Sequence, residues 1–133
     1  MAASEQAPRT FVVNSDFGGR IDRRAEQVRQ LRARRTRVEI RGRVCMSSCT
    51  MFLGAGDVCI DPDTVFGFHG PSFWGLALDQ PSFDYWSGVI AEHYPEPLRA
   101  WYMDRGRYRR TGFFRISGRQ IITLGYPSCS VQS

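Results

Sequence analysis

The sequence predicts an α/β domain, on three observations. Short β-branched and aromatic runs alternate with segments whose apolar residues recur every three or four positions, the mark of strands interleaved with helices. The chain has 133 residues, the length of one ordinary domain. Hydrophobic residues make up 42% and charged residues 23%, enough apolar surface for one core under a solvated exterior.

In chain order, Thr10 to Val13 (Thr-Phe-Val-Val) reads as a buried strand, and Asn14-Ser15-Asp16-Phe17-Gly18-Gly19 as the turn that ends it. From Ile21, the apolar positions Ile21, Ala25, Val28 and Leu31 lie on one face of a helix, with Arg, Glu and Gln on the other. Arg37-Val38-Glu39-Ile40-Arg41 alternates as a strand and stops at Gly42. Cys45 to Gly56 begins with small polar residues and turns apolar at Thr50-Met51-Phe52-Leu53, so Ser47 or Ser48 is expected to cap a buried helix. Val58-Cys59-Ile60 and Thr64 to Phe68 are strands separated by the Asp61-Pro62-Asp63 turn, the second running into His69-Gly70. Pro71 to Pro81, with Phe73, Trp74 and Leu76, reads as an exposed loop. Helices are expected over Phe83–Tyr94, broken by Pro95, and over Pro97–Asp104. Phe113 to Ile116 is a last strand, Ser117 a cap, and Ile121, Ile122 and Leu124 the buried face of a final helix stopped by Gly125. The domain is therefore expected over residues 11–129, between a flexible N-terminal segment 1–10 and a tail 130–133.

The net charge of +5 rests on 18 basic residues, all of them Arg. Ten lie between Arg20 and Arg43. Clustered guanidinium groups suit phosphate or carboxylate, which makes nucleic acid a rival partner. Codon bias in a GC-rich genome and a solvated helix face explain them more simply, and the sequence argues against nucleic acid. No run approaches the ~18 apolar residues of a membrane span. Residues 1–10 lack the apolar core of a secretory signal, so the chain is expected to be either cytoplasmic or exported with its signal removed. Cys45, Cys49, Cys59 and Cys129 fit two disulfides and an oxidising compartment better than zinc, which favours a Cys-x-x-Cys pair. No metal or other cofactor is called for.

Four local features carry chemistry. Gly18-Gly19 between a strand and a helix frees backbone N–H groups to face developing negative charge, though Gly-Gly is more often just a tight turn. Ser47, in Cys45-Met46-Ser47-Ser48-Cys49-Thr50, stands at a strand-to-helix junction, where a hydroxyl is held fixed and exposed as a nucleophile must be. His69 follows an apolar strand with glycines beside it, a place for a general base or for a core histidine satisfied by a backbone partner. His93, before Tyr94-Pro95, reads as structural. The Ser117-Gly118 to Gly125 stretch says only that a capped helix ends in glycine.

Taken in order, the Asn-Ser-x-x-Gly-Gly turn, Cys45-x-Ser47-x-Cys49-Thr50, Ala55-Gly56 and Gly67-Phe68-His69 resemble the Clp-protease/crotonase-like superfamily. The resemblance is nearest to the uncharacterised, often exported Clp-like proteins of bacteria and covers roughly residues 11 to 125. It implies a repeated ββα superhelix, with Ser47 as nucleophile, His69 as general base and the amides of Gly18 and Gly19 as oxyanion hole. It also implies a peptide or protein substrate, self-association into rings or trimers, and an exported or periplasmic location. A Cys45–Cys49 disulfide would brace the nucleophile's turn and Cys59–Cys129 would tie the C-terminus to the sheet, one of the three pairings that four cysteines allow. Three positions depart from the pattern: Asp16-Phe17 stands where the family has Pro before the glycines, Cys49 replaces a glycine, and Thr111-Gly112-Phe113-Phe114-Arg115 offers no carboxylate for the third triad position. Asp104 and Asp84 lie elsewhere in sequence. The chain also opens at the strand before the Gly-Gly turn, so a minimal or trimmed version of the fold is expected. Crotonase relatives bind acyl-coenzyme A on the same scaffold, but the Ser/His pair points to the protease branch. The expectation is therefore a serine-type hydrolase, most simply a peptidase; the alternative is a Clp-like binding or assembly module that has lost catalysis, with Phe73, Trp74, Tyr85 and Trp86 as its partner surface.

Overall fold

The computed structural model describes residues 9–130, so the expected N-terminal segment 1–10 and tail 130–133 fall almost wholly outside the described residues. The protein is mixed α/β, with two small sheets and several helices. One sheet has the order β1-β2-β4 and is all parallel: β1 is Thr10–Val13, β2 Arg37–Ile40 and β4 Val58–Ile60. The other contains β3 (Val44–Met46), β5 (Val65–Phe68) and β6 (Phe114–Ser117), with β3 parallel and β6 antiparallel to β5. Successive strands alternate between the sheets: β2 enters the first and β3 the second, β4 the first and β5 the second. The chain beyond β1 also crosses over, because Asp16 bridges Cys45 in parallel.

The core follows from the sequence pattern. Val38 and Ile40 are fully buried, with Val58, Ile60, Phe66 and Phe68 also inside. The opposite face of β2 carries Glu39 between Arg37 and Arg41 at 3.0 and 2.8 Å. α1 (Ile21–Ala33) buries Val28 and packs Ile21, Ala25 and Leu31 against the core, so the expected stripe faces inward. Three of its four arginines are engaged within the molecule: Arg24 with Asp16, Arg29 with Glu26, and Arg32 on the Gly54 carbonyl; Arg20, just before the helix, pairs with Asp22. Fully burying a Phe or Ile side chain contributes about 1.5–3 kcal/mol each, so Phe52, Phe66, Phe68, Ile40 and Ile60 anchor the fold.

Two elements differ from expectation. β3 was not evident in sequence as a strand of its own, because three residues are too few to display an alternation; its pairing with β5 and with Asp16 makes it one. The first helix of the C-terminal half is α2, Gln80–Ala91, and so begins three residues before the predicted Phe83. Asp79 caps it by accepting the Ser82 N–H at 2.8 Å, and Pro81 sits in the first turn, where its missing N–H costs nothing. α3 (Leu98–Asp104) and α4 (Gly118–Ile122) follow, α4 opened by a capping box between Ser117 and Gln120. Cys59 and Cys129 form a disulfide, and the Cys129 N–H donates to the Ile60 carbonyl at 3.0 Å, docking the C-terminal segment beside β4. No helix among the described residues is long and apolar enough to cross a membrane.

Candidate functional site

The candidate residues meet because three parallel chain segments end at one sheet edge. β3 runs beside β5 with Met46 opposite Gly67, so Ser47 and His69 emerge from neighbouring strands in the same direction. Asp16 pairs with Cys45 on the other side of β3, which delivers Gly18 and Gly19 to the same edge. The carboxyl ends of parallel strands are where α/β folds place their ligands.

Ser47 opens a 3-10 helix, Ser47–Gly54, with φ of +57°, a left-handed conformation that a non-glycine residue holds only when its surroundings enforce it. Neither serine caps this helix as expected: Met46 occupies the cap position and no side chain accepts a cap bond. The Ser47 hydroxyl instead lies 2.8 Å from His69 Nε2. The strained turn is held from three directions. The Cys45–Cys49 disulfide spans it, with Cα atoms 5.1 Å apart. Thr50 Oγ1 donates to the Ser47 carbonyl at 2.7 Å. The Tyr94 hydroxyl, 2.5 Å from Thr50 Oγ1, donates in turn, since the Thr50 proton is already committed. Burial, reinforced by neighbouring Tyr102, pushes the Tyr94 phenol well above its ordinary range and keeps it a donor.

The two glycines have different roles. Gly18 has φ of +105°, and its N–H is donated to Asp16 Oδ1 at 2.8 Å, which corrects the expectation that both amides face an oxyanion. What Gly18 supplies is clearance: a Cβ there would lie 2.6 Å from Ser47 Cβ and 3.1 Å from its Oγ. The Gly19 N–H has no hydrogen-bond partner among the described residues, and Gly19 lines the cleft together with Ser47. A second source of positive potential is the start of the 3-10 helix, whose first N–H groups, that of Ser48 included, have no partner within the helix. Asp16 itself is fixed by Arg24 at 3.0 Å, and the Arg24 guanidinium lies 4.6 Å over the Phe52 ring.

His69 is part-buried, and burial lowers its pKa, so the ring is neutral and can accept a proton at neutral pH. Tyr102 fixes its backbone by donating to the His69 carbonyl at 2.9 Å. The ring meets Phe113 edge-on, with centroids 4.8 Å apart. Nδ1 makes no hydrogen bond among the described residues. Asp84 is paired with Arg107 at 2.8 Å and Asp104 lies against Arg105 at 3.9 Å, so neither reaches the imidazole. His93 stands apart, its Nδ1 2.7 Å from the Val89 carbonyl.

A mostly apolar cleft of about 630 Å³ opens beside the Ser47–His69 pair, walled by Trp86, Ile90 and Tyr94 and bordered by the 71–81 loop. That loop is exposed as expected: Phe73 and Leu76 pair across a tight turn at Trp74-Gly75, and Trp74 is 84% exposed. Sequence reasoning missed Thr50, Tyr94, Tyr102 and Arg24 as supports of the site. Asp16, two residues before Gly18, was the one local sign of this turn's polar bracing; the tyrosines carry no local signature. With both cysteine pairs closed, no group of three metal-ligating side chains occurs among the described residues. No model of a known protein family matches the chain, and no curated protein matches it in sequence.

Proposed function

We propose that the protein is a serine-type hydrolase acting on peptides, with Ser47 as nucleophile and His69 as general base. The observation that carries this reading is the 2.8 Å contact between Ser47 Oγ and His69 Nε2 at a left-handed strand-to-helix turn. Ser47 Oγ attacks the carbonyl carbon as its proton passes to His69 Nε2. The carbonyl oxygen becomes an oxyanion within the field of the Gly19 N–H and the helix start. Collapse of this intermediate breaks the bond to the leaving amine, which takes the proton from His69. Water then adds by the same route, its proton going to His69 and on to Ser47, which releases the acid.

The alternation of successive strands between two sheets supports reading the fold as the repeated ββα superhelix of Clp-like proteins. Two disulfides fit an oxidising compartment and favour an exported or periplasmic protein. Self-association is part of the same reading, with exposed Phe73, Trp74 and Leu76 as apolar surface for it. The binding-module alternative draws on Phe113, which packs on the imidazole where the resemblance places a carboxylate. Loss of an orienting carboxylate lowers turnover by about 10⁴-fold in serine proteases, so the reaction is expected to be slow.

The test is covalent labelling with a fluorophosphonate probe. Wild-type protein is expected to label on Ser47, Ser47→Ala not at all, and His69→Ala at a small fraction of the wild-type rate. Folded wild-type protein that stays unlabelled from pH 6 to 9 would overturn the hydrolase and leave the binding module.

A further inference from the structure

His69 also lines a second cleft, of about 350 Å³, whose lining does not include Ser47. Its lining includes Arg107, Arg109 and Arg110 and contains no Asp or Glu. The two clefts share His69, Gly70, Pro71, Ser72 and Leu78 in their linings, so they adjoin at the imidazole.

Arg107 is half-buried, whereas Arg109 and Arg110 are exposed. Arg107 is held by Asp84 at 2.8 Å, by the Met103 carbonyl at 2.7 Å and by the Tyr108 hydroxyl at 2.8 Å. Arg109 donates Nε to the Thr111 carbonyl at 2.8 Å and lies 4.9 Å over the Phe114 ring. No carboxylate pairs with Arg109 or Arg110 among the described residues. Asp84 offsets one of the three charges, which leaves a net positive cleft with two guanidinium forks available. Burial keeps His69 neutral, so the imidazole does not itself supply the anion's partner.

We infer that this second cleft is a carboxylate subsite for the leaving-group side of a peptide substrate. The assignment rests on the hydrolase reading and follows from its geometry. The acyl part of a substrate must occupy the cleft that contains Ser47 and Gly19. The leaving group takes its proton from His69 and therefore continues past the imidazole into the Arg-lined cleft. An acidic side chain or a terminal α-carboxylate just beyond the scissile bond meets Arg109 and Arg110 there. The substrate class is thus a peptide with a bulky apolar residue before the cut and an acidic group after it.

The experiment uses Ser47→Ala protein, so that binding is read without turnover. Two short fluorescent peptides are compared by anisotropy at low and high salt, identical except for Glu or Lys immediately after a central Phe. The Glu peptide is expected to bind about tenfold tighter at low salt, the worth of one charge-assisted hydrogen bond, and the advantage should shrink as salt rises. Adding Arg109→Gln and Arg110→Gln should bring the two affinities close to equality. Arg109 packs on Phe114, so Arg110→Gln alone, at a side chain with no partner among the described residues, is the companion variant and should lower the ratio if the double variant misfolds. Equal affinities in the Ser47→Ala parent, no binding of either peptide, or a ratio unchanged in both Arg variants would overturn the subsite. Fluorophosphonate labelling of wild-type protein reads the other question separately. Labelling without charge preference sinks the subsite alone; charge preference without labelling sinks the hydrolase and leaves a site for acidic peptides.

Discussion

Gly18 and His69 are the residues where a single atom decides most. A methyl group at Gly18 would strain a backbone at φ +105° and press on the Ser47 side chain. Gly18→Ala is expected to destabilise by about 1–3 kcal/mol and to slow Ser47 labelling at least tenfold, read by denaturant melts beside labelling rates. At His69 the pH dependence has a definite sign. On the proposed hydrolase reading His69 must be neutral to act as base, and burial lowers its pKa, so reactivity should be lost only as pH falls through a value below the ordinary 6.5. The labelling rate should therefore be flat through neutrality, with its acidic midpoint under 6.5. A midpoint above 6.5 would mean that a carboxylate reaches the ring in solution. Phe113 packed on the imidazole, with no acid at Nδ1, is the reason to expect the lower value.

The 3-10 helix Ser47–Gly54 is the element on which the site depends, and its hold on Ser47 is polar as well as apolar. Thr50 Oγ1 fixes the Ser47 carbonyl, and Tyr94 on the segment after α2 completes the chain of donors. Thr50→Val keeps the volume and leaves the Tyr94 hydroxyl buried without its acceptor, at a cost of about 1–3 kcal/mol. Tyr94→Phe removes the outer donor only and should cost less. Both variants should fold, with labelling reduced more in Thr50→Val, because that change releases the strained turn directly. Equal labelling in wild type and Thr50→Val would show that the disulfide alone holds the turn.

Across the whole molecule the two disulfides act at different ranges. Cys59–Cys129 joins residues 70 apart and, in the chain-entropy picture, stabilises by about 4 kcal/mol. Cys45–Cys49 closes a separation of 4 residues and contributes about 2 kcal/mol in the same picture, yet it spans Ser47. Replacing Cys59 and Cys129 by Ala should lower the melting temperature strongly and leave labelling of the folded fraction near wild type. Replacing Cys45 and Cys49 should do the reverse, with a small loss of stability and a large loss of labelling. Thermal melts and labelling of both double variants separate the two roles.

Local chemistry made much of this protein legible from its sequence. β-branched runs gave β1, β2, β4 and β5, because such residues pack on a pleated, buried surface. The spacing of Ile21, Ala25, Val28 and Leu31 gave α1 and its inward face, and Ser117 gave the start of α4. Ser47, His69 and Gly18-Gly19 stood out because each sits where a strand stops, and that is a property of neighbouring residues. What lay beyond reach depends on residues distant in sequence. Strand β3 exists through its pairing with β5 and with Asp16, and Ser47 is anchored by a tyrosine 47 positions away by way of Thr50. The sequence determined which residues could react. The tertiary structure decided which meet, which amide is free and which charge waits beyond His69, because parallel strands bring their ends together through pairing that no local pattern encodes.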